Sequence, residues 1–276
     1  MRWITARRRH PAAGYAVVLL TLIAIGMAYA AVTGGGSSAS ASAPSANEQQ
    51  IAKGREIFAD NCSSCHGLEA QGTAVAPSLI GVGAAAVHFQ VSTGRMPAKQ
   101  PGAEMPRKPL AVPFAGPNGE QAIQAVAAYV ASLGGGPPIP SAEQVDPALG
   151  NVALGQQLFI ANCAQCHNFV GAGGALTYGK YAPALTQATP TQIYEAMLTG
   201  PEAMPVFDDG TLSPENKRDI IAYIVNTRSE ANPGGFSLGR VGPVTEGLVA
   251  FLGLLLFMVL AALWITAKQG KSKEHE

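Results

Sequence analysis

Residues 61–67 read Asn-Cys-Ser-Ser-Cys-His-Gly, and residues 162–168 read Asn-Cys-Ala-Gln-Cys-His-Asn. The chain has four cysteines, and the two Cys-x-x-Cys-His motifs use all of them. Four chemistries employ such a pair. A thioredoxin-like redox pair needs a βαβ setting, which the sequence does not display. A structural zinc site needs four N/S ligands, and zinc motifs usually set the histidine further from the second cysteine. Two disulfides would suit an exported chain, but they require no histidine behind each pair. Covalent haem attachment accounts for all three residue types. Two thiols at this spacing reach the two vinyl groups on one porphyrin edge, and the adjacent histidine then lies under the ring, where it ligates the iron. On this reading Cys62 and Cys65 tether one c-type haem, Cys163 and Cys166 tether a second, and His66 and His167 each fill one axial position.

The opposite face of each iron needs a partner, and a methionine there raises the reduction potential, as electron transfer requires. In the second half Met204, in Ala-Met-Pro, is the candidate, and Met197 reads as a core residue of an expected helix. In the first half Met96-Pro97 and Met105-Pro106 compete. Met96 follows Thr-Gly, as the second-half candidate does at a longer interval, and is preferred. His88 could make a bis-histidine site, but it reads as a surface or haem-edge histidine.

The segments around the motifs repeat as well. Lys-Gly-Arg-Glu-Ile-Phe ending at Phe58 answers Leu-Gly-Gln-Gln-Leu-Phe ending at Phe159. Ala76-Pro77-Ser78-Leu79 answers Ala182-Pro183-Ala184-Leu185, and each copy closes on a helix-like stretch, 121–133 and 215–227, containing Tyr129 or Tyr223. Apolar residues recur at helical spacing and strand alternation is scarce, so the fold class is all-α. Gly54 and Gly155 lack a Cβ, which lets the first helix of each copy cross the last one closely. Each copy resembles a class I cytochrome c domain over nearly its whole length. The resemblance implies helices wrapped around haem, and a carbonyl at Pro77 or Pro183 that fixes the ring of the ligating histidine.

Net charge is +0 with 13% charged residues, and no basic cluster runs through the two copies, so nucleic acid is not an expected partner. Apolar residues concentrate at the ends. Arg2, Arg7, Arg8 and Arg9 precede an apolar run over 12–32 that suits either a signal peptide or a retained anchor. A second run over 248–267 ends in Trp264 and then Lys268, Lys271 and Lys273, the pattern of a membrane helix with a cytoplasmic basic flank. Both basic flanks place the haem domains on the extracytoplasmic side. The expected organisation is a membrane anchor or signal segment (1–33), a flexible linker (34–46), haem domains at 47–134 and 151–229, linkers at 135–150 and 230–244, a transmembrane helix (245–268) and a cytoplasmic tail (269–276).

The ends carry a further likeness. Asn232-Pro233-Gly234-Gly235-Phe236, 242–248 and Trp264-Ile265, with Arg7-Arg8-Arg9-His10-Pro11 at the start and 87–97 and Arg107-Lys108-Pro109 between, resemble the di-haem cytochrome c subunits of actinobacterial menaquinol–cytochrome c reductases, the cytochrome bcc complexes. His88 departs from that family, in which an acidic residue is expected there. The resemblance implies an electron-transfer subunit of a proton-translocating enzyme complex. A cytochrome b subunit oxidises menaquinol, a Rieske iron–sulfur subunit passes the electron to the first haem, and the second delivers it to the copper-containing subunit of a haem–copper oxidase. The alternatives are the cytochrome subunit of another dehydrogenase or of a cbb-type oxidase, which should lack this tail, and a haem sensor or peroxidase, which needs an iron open to substrate.

Overall fold

The structure, a computed structural model, describes residues 12–33, 45–102, 104–230, 238 and 243–273. The basic start, the linker over 34–44, the Asn232–Phe236 stretch and Gly242 lie outside the described residues. The chain divides between Ser45 and Ala46. Before the division lies helix α1 (Ala13–Thr33, 21 residues), whose described side chains are exposed and almost wholly apolar. An α-helix apolar on every face has no polar side to offer water, as in a membrane span or a signal segment.

After the division the repeated sequence makes two helical halves. The first contains α2 (Ala46–Asn61), α3 (Ser63–His66), α4 (Gly83–Ser92) and α5 (Gly119–Ser132). The second follows α6 (Ala142–Val145) with α7 (Val152–Asn162), α8 (Ala164–His167), α9 (Pro190–Thr199) and α10 (Pro214–Ser229). Local signals set their starts. The Asn151 side chain accepts the amides of Ala153 and Leu154 at the head of α7. Thr189 and Gln192 form a reciprocal capping box with Pro190 in the first turn of α9, and Ser213 caps α10 ahead of Pro214.

Helix crossing is governed by the two glycines. A Cβ on Gly54 would overlap the Ala125 carbonyl and stand 2.9 Å from the Cβ of Tyr129. A Cβ on Gly155 would overlap the Asp219 carbonyl. Backbones this close let α2 lie on α5 and α7 on α10. The aromatic positions of the repeat then meet. Phe58 and Tyr129 have ring centroids 5.3 Å apart, as do Phe159 and Tyr223, a tilted geometry that aromatic pairs favour. Two cores result, one around Phe58, Ile123 and Val126, the other around Phe159, Ile220 and Ile224. The all-α expectation holds apart from a hairpin of two-residue strands, Gly174–Ala175 and Tyr181–Ala182.

The halves pack through α4 and α9. Here the structure corrects the reading of His88. It is 6% exposed and buried in the seam, not at a surface. Its Nδ1 lies 2.8 Å from Glu195 Oε2, and Glu195 is fully buried. The correction is physical: a histidine on an apolar helix face becomes a seam residue only when a partner carboxylate from a distant segment meets it, and nothing local encodes that.

The last helix, α11 (Pro243–Lys273), carries the one described span long and apolar enough to cross a bilayer, Thr245–Ala267 of 23 residues, with none of it buried.

Candidate functional site

Each Cys-x-x-Cys-His sits on a single helical turn, α3 or α8, at the end of the long helix that precedes it. The residue after each histidine has a positive φ, Gly67 at +82° and Asn168 at +63°, so the chain turns back at once; glycine takes this conformation without a Cβ penalty, and asparagine holds it at 168. The same bonds close both loops. The amide of Gly72 donates to the His66 carbonyl at 2.8 Å and that of Gly173 to the His167 carbonyl at 2.9 Å. The amides of Leu79 and Leu185 donate to the carbonyls of Ala70 and Gly171 at 2.8 Å each.

This closure brings a proline carbonyl to each imidazole. His66 Nδ1 lies 2.9 Å from the Pro77 oxygen and His167 Nδ1 lies 3.0 Å from the Pro183 oxygen. A carbonyl only accepts, so Nδ1 carries a proton, which in a neutral ring leaves the Nε2 lone pair for a metal. Burial lowers the His167 pKa and the Pro183 bond offsets only part of that, which keeps the ring neutral near pH 7. All four thiols are free. Burial, and then the neighbouring Cys65, pushes Cys62 up to about 11; burial, and then Cys166, pushes Cys163 up to about 12. Both therefore stay protonated at neutral pH rather than acting as reactive thiolates.

In the second half Cys163, Cys166, His167 and Met204 all line one open cleft. Its walls are mainly apolar, with Phe159, Leu185, Ile193, Ile220 and Ile224 among them. Two thiols, a neutral imidazole with a free Nε2, a thioether and apolar walls fit an iron porphyrin tethered through its vinyl groups. The Met204 loop is pinned, its amide donating to the Pro201 carbonyl at 3.0 Å and the Phe207 amide to the Met197 carbonyl at 2.7 Å. Met197 is 2% exposed within the second core, as expected of a core residue.

In the first half His66 is buried, and Cys62 and Met96 pack against the same core. The Met96 amide donates to the Gln90 carbonyl at 3.0 Å. The Lys108 ammonium donates to the carbonyls of Arg95 and Pro97, at 2.9 and 2.7 Å, and so clamps the backbone on either side of Met96. Met105 is tied elsewhere, its amide donating to Glu202 Oε1 of the second half at 2.8 Å.

One part of the site has no counterpart in the sequence reading. Phe89, Thr93, Arg95, Glu104 and Arg107, all of the first half, help line the second-half cleft. The only hint of this in the sequence is the pair of arginines beside the two Met-Pro motifs in a charge-poor chain.

Comparison with known proteins agrees with this geometry. Residues 51–134 match the family "Cytochrome c", and residues 150–224 match "Cytochrome C oxidase, cbb3-type, subunit III". The "Cytochrome bc1 complex cytochrome c subunit" of Corynebacterium diphtheriae is 40% identical, over 96% of this chain and 98% of that protein. The chain belongs to the family of cytochrome bc1 complex cytochrome c subunits. Proteins of the same name from Corynebacterium efficiens, 44% identical over 79% of this chain and 77% of that protein, and Mycobacterium leprae, 46% identical over 78% and 74%, are similar too. As a bc1 complex cytochrome c subunit the chain is an electron-transfer component of an oxidoreductase, and its cytochrome c stretches imply covalent haem c. The family-model match to a cbb3-type subunit covers one haem-binding half, and the cbb3-type subunit FixP of Bradyrhizobium diazoefficiens matches 63% of this chain at 27% identity, whereas the bc1 likeness covers 96% of the chain at 40% identity.

Proposed function

We propose that this chain is the di-haem electron bridge between a menaquinol-oxidising cytochrome b–Rieske core and a haem–copper oxidase. Cys62 and Cys65 would tether the first haem, with His66 and Met96 to ligate its iron, and Cys163 and Cys166 would tether the second, with His167 and Met204 to ligate its iron. The observation that carries this reading is the corner built twice, in which a histidine next to paired thiols is held through Nδ1 by a proline carbonyl. A haem held there would supply one-electron chemistry between ferrous and ferric iron. The chain's residues would do the rest: the paired thiols would tether it, the histidine and methionine would ligate its iron, and the apolar side chains exclude water. The Rieske subunit donates to the first half, and the second half delivers to the copper-containing oxidase subunit. α1 and α11 hold the chain in the membrane with both halves extracytoplasmic and both termini cytoplasmic. Alone, the chain performs no substrate chemistry.

A tag on the C-terminus and gentle detergent purification test this. Recovery of cytochrome b, a Rieske protein and oxidase subunits, with menaquinol-dependent oxygen uptake, is the expected result. Recovery of a dehydrogenase, or of this chain alone, would sink the assignment to that electron path.

A further inference from the structure

The chain carries only 18 basic and 18 acidic side chains, yet two arginines of the first half line the cleft of the second. Arg95 is 8% exposed. Its guanidinium sits over the Phe89 ring, 5.0 Å from the centroid. Its Nε is 3.7 Å from the Glu202 carboxylate and has no hydrogen-bond partner. A buried guanidinium keeps its charge, and a charge taken out of water is costly unless an anion meets it with good geometry. Arg107 is held in place from the second half: it donates to Gln192 Oε1, and the Gln192 amide nitrogen donates to Ser92 Oγ at 3.0 Å. Two carboxylates also line the cleft, but each is engaged by a backbone amide, Glu104 by Tyr181 at 3.0 Å and Glu202 by Met105 at 2.8 Å. Among the described residues, Arg95 and Arg107 are the only arginines or lysines on the cleft wall.

A porphyrin tethered at Cys163 and Cys166 by its vinyl edge presents two propionate carboxylates at its other edge. These need partners, and arginine matches a carboxylate with paired donors. We infer that Arg95 and Arg107 of the first half bind the propionate carboxylates of the haem held by the second half. The inference rests on the proposed seating of that haem in this cleft. One half thereby tunes the cofactor of the other, and Arg95 joins the two sites in a single residue because it directly precedes Met96. The sign follows from charge: the reduced state is one unit more negative than the oxidised one, so a nearby guanidinium raises the potential.

The test is a spectroelectrochemical redox titration of the full-length, haem-loaded chain in detergent, with haem counted by pyridine haemochrome. Met204→His marks which redox wave belongs to the second half, because exchanging methionine for histidine lowers it. Arg95→Gln and Arg107→Gln should each lower that marked wave, leave the other in place and shift the propionate bands of the redox-difference infrared spectrum. Arg95→Lys should restore most of the potential. Two haems per chain with an unmoved marked wave, both waves moved equally, or unchanged propionate bands would overturn the inference. One haem per wild-type chain would instead overturn the reading beneath it. If Arg95→Gln fails to accumulate, the exposed Arg107 carries the same test.

Discussion

A histidine is a reliable iron ligand when its second nitrogen is already committed, and both Cys-x-x-Cys-His corners meet that condition through Pro77 and Pro183. The methionine proposed to complete each site is specified differently, by a loop tied through backbone hydrogen bonds. In the second half the two nearby methionines separate on this basis. Met204 lines the cleft from a pinned loop, while Met197, though it also reaches the cleft, is 2% exposed among core side chains. Met204→Ala should therefore lower the midpoint of one haem and abolish its weak methionine–iron absorbance, with both haems still attached by their thioethers. Met197→Ala should keep that absorbance and instead cost about 2–5 kcal/mol of stability, as emptied methionine sites do. Spectra and redox titrations of the two variants check both statements, and an unchanged potential in Met204→Ala would show that the ligand is misassigned.

At the scale of elements, the repeat made the long helices and their crossings legible, because a glycine and an aromatic at fixed offsets before each motif have a packing meaning that sequence spacing preserves. The glycine expectation holds in atomic detail, since a Cβ at position 155 would overlap the Asp219 carbonyl. Gly155→Ala must push α7 off α10 and should cost about 1–3 kcal/mol or more, as overpacking does. Gly135 is the control, because a Cβ there meets nothing within 4 Å, so Gly135→Ala should be neutral or stabilising by about 0.4–1 kcal/mol. Thermal unfolding of the haem-loaded variants reads the difference, and equal midpoints would refute the close-crossing argument. The hairpin Gly174–Ala175 and Tyr181–Ala182 escaped the sequence reading because two-residue strands are too short to show alternation. The interval between the Thr-Gly signal and the methionine differs between the halves, and the sequence carries no trace of the contacts that hold the two first-half candidates: Lys108 bonds the carbonyls on either side of Met96, and Glu202 accepts the Met105 amide.

At the scale of the molecule, what the sequence left hidden is the seam. Contacts such as Arg107–Gln192 and His88–Glu195 join residues about a hundred positions apart and leave no periodic trace. The seam's centre is electrostatic. His88 Nδ1 faces Glu195 and His88 Nε2 lies 3.4 Å from Glu120 Oε1, so both ring nitrogens face carboxylates. A neutral imidazole can donate from only one nitrogen, whereas the imidazolium serves both. Burial pulls the His88 pKa down, but the bond to Glu195, its charge and then Glu120 outweigh it, and the pKa stands above the ordinary 6.5. A base whose folded pKa is raised stabilises fully below its unfolded value, and that stability is lost as pH rises through the folded value. Burial also raises the Glu195 pKa against the opposing pull of His88, and a raised acid likewise favours the folded state less as pH rises. Both signs agree, so the seam should loosen as pH rises above about 6.5, the ordinary histidine value. Amide exchange in α4 and α9, corrected for intrinsic rates and referred to α2 and α7, should accelerate over that window. His88→Ala should flatten the pH response and cost about 3–5 kcal/mol, because it strands Glu195 in the seam without its partner. A wild-type profile that is already flat would mean that the pair packs the halves together without its charge state governing how firmly they hold.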